Sequence, residues 1–284
     1  MATRTLHLIA ALATLGLLAT SAQAGAAPDS AAGACRLRLP ARMPDRTLAV
    51  PILMYHRINV VTAETPPESR GLTVHPRDFA QQMRWLRDHG YTSITQRELW
   101  DALACGRRLP ARPVLITFDD GYRDVFFHAS PVLRRLGFRA TAYVVSGRIS
   151  AGDPSFLTWP LLHALERRGI EIGSHTVAHR DLTSLPDTAL LEDLRSSRLA
   201  LERRLGHPVP WLAYPFGRND ARVRRQAQRA GYLLGVTTQP GARASAREPL
   251  ALPRLRVLDT TGVTGLARML GAARFGARVA QSIR

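Results

Sequence analysis

Two segments place acid, base and metal-binding side chains at the ends of short apolar runs. The first is Thr117-Phe118-Asp119-Asp120-Gly121-Tyr122, at the end of the apolar stretch 113–118. Two adjacent carboxylates there can divide labour, one holding a cation while the other stays free as a base, and the glycine lets the chain turn at once. Taken alone, Asp119-Asp120-Gly121 also fits a plain strand-to-helix turn with an aspartate as cap. The second segment is Gly173-Ser174-His175-Thr176-Val177-Ala178-His179, directly after the run 170–173. Four-residue spacing on one helical turn points both imidazoles the same way, and neutral histidine is a common ligand for Zn2+ and its neighbours. Such a pair can equally be structural. Two histidines and one aspartate from separate strand ends make a three-ligand set with open positions, the layout of a catalytic metal centre. A third segment, Ala213-Tyr214-Pro215-Phe216-Gly217, runs a strand into a tight turn whose N–H groups can face a pocket and suit an oxyanion.

The elements that must position these groups alternate regularly. Strands are expected at 50–55, 91–94, 113–118, 140–145, 170–173, 211–214, 233–237 and 255–258. Helices are expected at about 96–104, 130–136, 159–168, 186–205 and 219–230, with another at the C-terminus. A further helix carries Phe79, Met83 and Leu86 on one face. Strands separated by helices demand parallel crossovers, so the class is α/β. About seven such units in one stretch fit a single barrel-like wheel better than two domains, and catalytic groups belong at the C-terminal ends of its strands.

Upstream, Arg4 precedes an apolar run from Leu6 to Ala19 and then Ser21-Ala22-Gln23-Ala24, which reads as a secretory signal peptide over 1–24. Residues 25–47 read as a linker or N-terminal arm, and 48–284 as the catalytic domain. No other stretch is apolar enough to span a bilayer, so no stable membrane span is expected in the mature chain. In an oxidising compartment Cys35 and Cys105 are a candidate disulfide pair. The net charge of +17 suggests a nucleic-acid binder at first sight, but all 39 basic residues are arginine, spread in pairs along helix-like segments. Solvated helix faces explain most of them, and no nucleic-acid partner is expected. A basic surface would also hold an exported protein near anionic envelope polymers.

Thr-Phe-Asp-Asp-Gly-Tyr at 117–122, with His-Thr-x-x-His at 175–179, resembles the first two signature motifs of the polysaccharide deacetylase family, carbohydrate esterase family 4. Val50-Pro51-Ile52-Leu53-Met54-Tyr55-His56-Arg57-Ile58, followed by Phe79 and Gly90-Tyr91, resembles the subgroup containing biofilm poly-N-acetylglucosamine deacetylases. The similarity runs over roughly 48–258. It implies a distorted (β/α)7 barrel in a single domain. It also implies Asp119 as general base and Asp120, His175 and His179 as ligands of a divalent ion, Zn2+ foremost, with Co2+, Ni2+ or Fe2+ able to bind. The Phe216 N–H would lie in the oxyanion hole.

Two departures stand out. Ala213 occupies the position where the family often has an arginine that tethers the base. Leu252-Pro253-Arg254-Leu255 stands where a Leu-x-His acid is expected, so His56 is the candidate for general acid. A histidine at a strand end also reads as a hydrogen-bonded structural residue. The resulting expectation is an exported enzyme, periplasmic or secreted, that removes N-acetyl groups from an acetylated amino-sugar polysaccharide and releases acetate. Poly-N-acetylglucosamine, peptidoglycan and chitin-like chains all remain open as substrates. So do a de-O-acetylase, a hydrolase of small cyclic amides, and an inactive glycan-binding homologue.

Overall fold

Seven short segments of mostly apolar and β-branched residues form a closed ring in chain order. They are Ile52–Tyr55 (β1), Pro113–Phe118 (β2), Ala140–Val144 (β3), Ile170–Ser174 (β4), Trp211–Ala213 (β5), Leu234–Pro240 (β6) and Leu252–Arg256 (β7). Each pairs in parallel with the next, and β7 closes on β1 through Leu255↔Leu53 and Arg256↔Met54. The computed structural model from which this is drawn describes residues 35–40 and 42–281. The proposed signal peptide lies outside the described residues.

β1, β3 and β5 are buried along their whole length, as parallel strands covered on both faces must be, which is why they read as continuous apolar runs. The ring is distorted. β4 and β5 meet at a single pair, Ser174↔Leu212, and the β6–β7 register shifts between Val236 and Pro240. Helices Pro76–Asp88 (α1), Gln96–Cys105 (α2), Ser130–Leu136 (α3), Ser146–Ala151 (α4), Trp159–Glu166 (α5), Asp187–Leu205 (α6), Ala221–Arg229 (α7) and Gly262–Gln281 (α8) lie between or after the strands. Phe79, Met83 and Leu86 are the buried face of α1, as their spacing requires. α2 opens on a reciprocal capping box between Thr95 and Glu98.

Two strands differ from the sequence reading. The expected strand at 91–94 is only Thr92–Ser93, which pairs beside the start of β2 and takes no place in the ring. The last strand begins at Leu252, three residues before the apolar run that suggested it. Pro253 and Arg254 hid its start, because proline and a charge rarely occupy a central strand. Leu252 and Arg254 are nevertheless both buried.

Residues 35–49 are fastened to the barrel. Leu37, Leu39, Met43 and Leu48 pack on the cluster around Trp100. Arg46 donates to the carbonyls of Ala102 and Leu103 at the end of α2, at 2.9 and 2.8 Å. Thr47–Ala49 pairs antiparallel with Arg243–Ser245. Cys35 and Cys105 are disulfide-bonded across a separation of 70 residues. In the chain-entropy account a loop of that length stabilises the fold by about 4 kcal/mol. Replacing both cysteines with serine should therefore lower the urea midpoint by an amount equal to that seen when the wild type is reduced. An unchanged midpoint in both would show that the bond contributes nothing.

Candidate active site

The chemistry-bearing residues gather at one mouth of the barrel, at the C-terminal ends of its strands. His56 follows β1, Asp119 and Asp120 follow β2, His175 follows β4, and the turn at Phe216 follows β5. His56, Asp119, Asp120, His175, His179 and Phe216 line one pocket of about 430 Å³. The six candidates named from sequence thus share one cavity.

Asp119 and Arg254 form the tightest ionic contact there. Arg254 reaches from β7 with both terminal nitrogens, Nη1 to Oδ1 at 2.8 Å and Nη2 to Oδ2 at 2.6 Å. Its Nε donates to the Thr237 carbonyl at 2.8 Å, and Nη1 also reaches Thr117 Oγ1 at 3.1 Å. Both side chains are almost fully buried. Burial by itself would push the Asp119 carboxyl up. The Arg254 charge and its two hydrogen bonds outweigh that and hold it below the usual carboxylate range. Asp119 is therefore a fixed, ionised carboxylate in the pocket lining.

Asp120, His175 and His179 offer ligand atoms that all lie within 4.8 Å of one another. His175 Nε2 is 3.5 Å and His179 Nε2 3.3 Å from Asp120 Oδ1. A tetrahedral ion with bonds of about 2.0–2.1 Å sets its ligands roughly 3.3–3.4 Å apart, which the two Asp120–histidine spacings match. His175 Nδ1 donates to the Ala213 carbonyl at 2.7 Å, which turns the Nε2 lone pair towards the cluster. Burial opposes charge on Asp120, yet the hydrogen bond and charge of His175 in its protonated form keep its carboxyl strongly depressed, whereas the neutral ring is the form that ligates. Burial, followed by the charge of His175, lowers His179 to about 4, so its ring is neutral and free to ligate at neutral pH.

The backbone holds this arrangement under strain. Among the described residues four non-glycine positions have positive φ, namely Asp120, Thr176, His179 and Phe216, and all four lie at this mouth. The histidine pair does not sit on a helical turn, contrary to the reading from spacing. Residues 175–179 form an irregular loop in which the His179 N–H donates to Thr176 Oγ1 and the Val177 N–H to Asp193. Those local bonds, with two left-handed residues, converge the rings where a helix would otherwise be needed. Glycine is required at 121 and 217. An added Cβ would lie 3.1 Å from the Val144 side chain at the first and 2.1 Å from Thr238 Oγ1 at the second.

Phe216 is 56% exposed at the rim, with its ring edge-on to His179. The next two N–H groups of its turn are occupied, Gly217 with the Tyr214 carbonyl and Arg218 with that of Pro215. His56 is half-buried, and its buried Nδ1 has no hydrogen-bond partner among the described residues. Burial lowers its pKa, against the upward pull of Asp119 and Asp120.

A family model for polysaccharide deacetylases matches residues 106–235, which carry both the Asp-Asp and His-x3-His segments. YxkH of Bacillus subtilis (strain 168), a protein named for polysaccharide deacetylases, is 32% identical over 223 residues, 78% of this chain and 76% of that one. The chain belongs to the polysaccharide deacetylase family. It is thus a hydrolase of carbon–nitrogen bonds other than peptide bonds. The structure of the Streptococcus pyogenes deacetylase PplD in complex with acetate superposes with a TM-score of 0.74 at 31% identity, covering 80% of this chain and 99% of that one. The poly-beta-1,6-N-acetyl-D-glucosamine N-deacetylase of Staphylococcus aureus (strain MRSA252) is 22% identical over 230 residues, 73% of this deacetylase and 78% of the relative.

Arg254 is the functional residue that the sequence reading missed. Ala213 cannot hold Asp119, and the arginine that does so stands on β7, two strands of the ring further along the chain. The one available signal was a lone charge between apolar residues in Leu252-Pro253-Arg254-Leu255. Removing one partner of a buried pair costs about 3–5 kcal/mol. Arg254→Met should destabilise the deacetylase by that amount at neutral pH, and Asp119→Asn/Arg254→Met should recover most of it, as read by chemical denaturation. Because the folded pKa of Asp119 is depressed, the contribution is present above the unfolded carboxylate pKa and is lost as pH falls through the folded value. Equal losses in the single and double variants would contradict the pairing.

Proposed function

We propose that this deacetylase is an exported, metal-dependent enzyme that removes N-acetyl groups from an amino-sugar polysaccharide and releases acetate. The observation that carries the reading is a division between neighbours. Asp119 is held by Arg254 and left out of the cation set, while Asp120 points into it with His175 and His179. One carboxylate is thus a base and the other a ligand.

Asp120, His175 and His179 would hold a divalent ion, Zn2+ foremost by the donor set, which would polarise the acetyl carbonyl and acidify a water. Asp119 accepts the proton of the attacking water as its oxygen adds to the carbonyl carbon. The Phe216 N–H, fixed by the left-handed turn and by the contact of Gly217 with Thr238, donates to the carbonyl oxygen as charge develops there. One such donor is worth about 3–4 kcal/mol. His56, with Nδ1 unpaired beside the same pocket, passes a proton to the departing nitrogen as the C–N bond breaks. The products are acetate and an amine on the polymer.

The Staphylococcus aureus relative makes acetylated β-1,6-glucosamine the first polymer to test. The signal-peptide pattern at 1–24 supports export to the periplasm or beyond, and among the described residues no helix is long and apolar enough to cross a membrane. Acetate release from acetylated β-1,6-glucosamine oligomers should stop with a chelator and return with Zn2+ or Co2+. Asp119→Asn and His56→Ala should each lower kcat by about 100- to 10,000-fold, the range of general acid–base catalysis. Chelator-insensitive release, or full activity in Asp119→Asn, would overturn the mechanism. Release confined to O-acetylated glycans would move the substrate class from amide to ester.

A further inference from the structure

Beside the reaction pocket lies a second cleft of about 550 Å³, and the two share a saddle formed by Glu68, Ser69, Tyr122 and Arg148. Its aromatic rings are already stacked. Tyr122 lies on Phe156 with centroids 5.0 Å apart and planes at 21°. The Arg57 guanidinium stands 4.7 Å from the Tyr122 centroid, and that of Arg148 stands 4.7 Å from the Phe156 centroid. The run Arg57–Tyr122–Phe156–Arg148 occupies the ring faces on which a sugar would otherwise stack. Its free end is a guanidinium.

The two ends of this run differ in charge balance. Arg57 is neutralised by Asp124 at 3.0 Å. Three other arginines around the mouth are likewise paired, Arg254 with Asp119, Arg180 with Asp193 and Arg218 with Asp181, while Arg256 in the pocket lining is exposed and has no carboxylate within ion-pair distance among the described residues. The Arg148 guanidinium has no carboxylate within ion-pair distance and no hydrogen bond to the protein among the described residues; the Phe156 ring is its one direct partner. It is also half-buried, unlike the exposed Arg225 and Arg229 on α7, so water alone does not account for its position. Its backbone is pinned to the histidine loop. Ser146 N–H donates to the Thr176 carbonyl at 3.1 Å and Gly147 N–H to that of Val177 at 3.0 Å. The acids lining the cleft, Glu64 and Glu68, are exposed and make no ion pair with it.

A planar guanidinium with unpaired N–H donors, held at a fixed place in a partly buried cleft, matches carboxylate and phosphate geometry. We propose that Arg148 is a specificity residue that binds a carboxylate or phosphate carried by the sugar unit next to the one being deacetylated. This rests on the reaction assigned above to the neighbouring pocket. It also selects among the possible polymers, because a wholly neutral amino-sugar chain leaves this cation unmatched.

The test compares kcat/KM on glycans of matched length. They are neutral acetylated glucosamine oligomers, peptidoglycan strands with free muramic carboxylates, the same strands after esterification, and acetylated glucosamine oligomers phosphorylated on a 6-hydroxyl. The expected result is a preference of about tenfold or more, expressed in KM, for one anionic form over its neutral counterpart, the size of one charge-assisted contact. Whether the carboxylate or the phosphate carries it names the source. Arg148→Gln should bring the anionic-to-neutral ratio close to one, and Arg148→Lys should keep part of it. A wild type with no preference for either anion, or a preference that survives in Arg148→Gln, overturns the proposal. Calorimetric binding of the free and esterified strands and of the phosphorylated and unphosphorylated oligomers to Asp119→Asn reads the same preference without turnover. Equal affinities within both pairs would overturn the role of Arg148 even if the reaction stands, and selective binding without acetate release would overturn only the reaction.

Discussion

The structure of the mouth depends on one buried ion pair, the two-pronged contact of Arg254 with Asp119. An ionised carboxylate in the packed end of a barrel is strongly unfavourable unless it is paired and hydrogen-bonded. Asp119 stands at the end of β2 and Arg254 on β7, with β1 between them in the ring. The pair can form only when the first and last parts of the domain have closed on each other. Barrel closure and the fixing of this carboxylate are therefore one event. Thr237 and Thr117 take the guanidinium N–H groups left over, so the pair leaves little unsatisfied.

Fixing Asp119 in this way also determines what its neighbour does. Adjacent residues leaving a strand point in different directions, and the left-handed backbone at Asp120 with Gly121 behind it aims the second carboxylate at the two imidazoles. The concentration of left-handed residues at this mouth marks strain that the surrounding barrel has to hold. The same loop that supplies the histidines anchors α4 and with it Arg148, so the cation set and the adjoining cleft are built on shared backbone.

Much of the architecture was legible because buried parallel strands write themselves as apolar runs. The ring order β1 to β7 follows from alternation with helices. Asp119, Asp120, His175 and His179 were legible because their residue types are unusual at strand ends. Arg254 was not, since its role comes from a partner 135 residues away and its strand is masked by Pro253. Nor did spacing give the path between the histidines, where two left-handed residues replace the expected helical turn. The contacts of the aromatic rings were not legible either: Arg57 and Phe156 occupy the faces of Tyr122, and Trp159 is engaged by Arg204. The stretch read as a linker or arm is, from residue 35 onward, sewn to the barrel by a disulfide, a small strand pair and Arg46, none of which has a periodic signature.

The most direct test of this division of labour is anomalous diffraction at the zinc edge on crystals grown with Zn2+. The expected result is one ion on Asp120, His175 and His179, with Asp119 still in its two hydrogen bonds to Arg254 and outside the ligand set. An ion held elsewhere, or an Asp119 that has left Arg254 to become a ligand, would contradict the assignment of one carboxylate as base and the other as ligand.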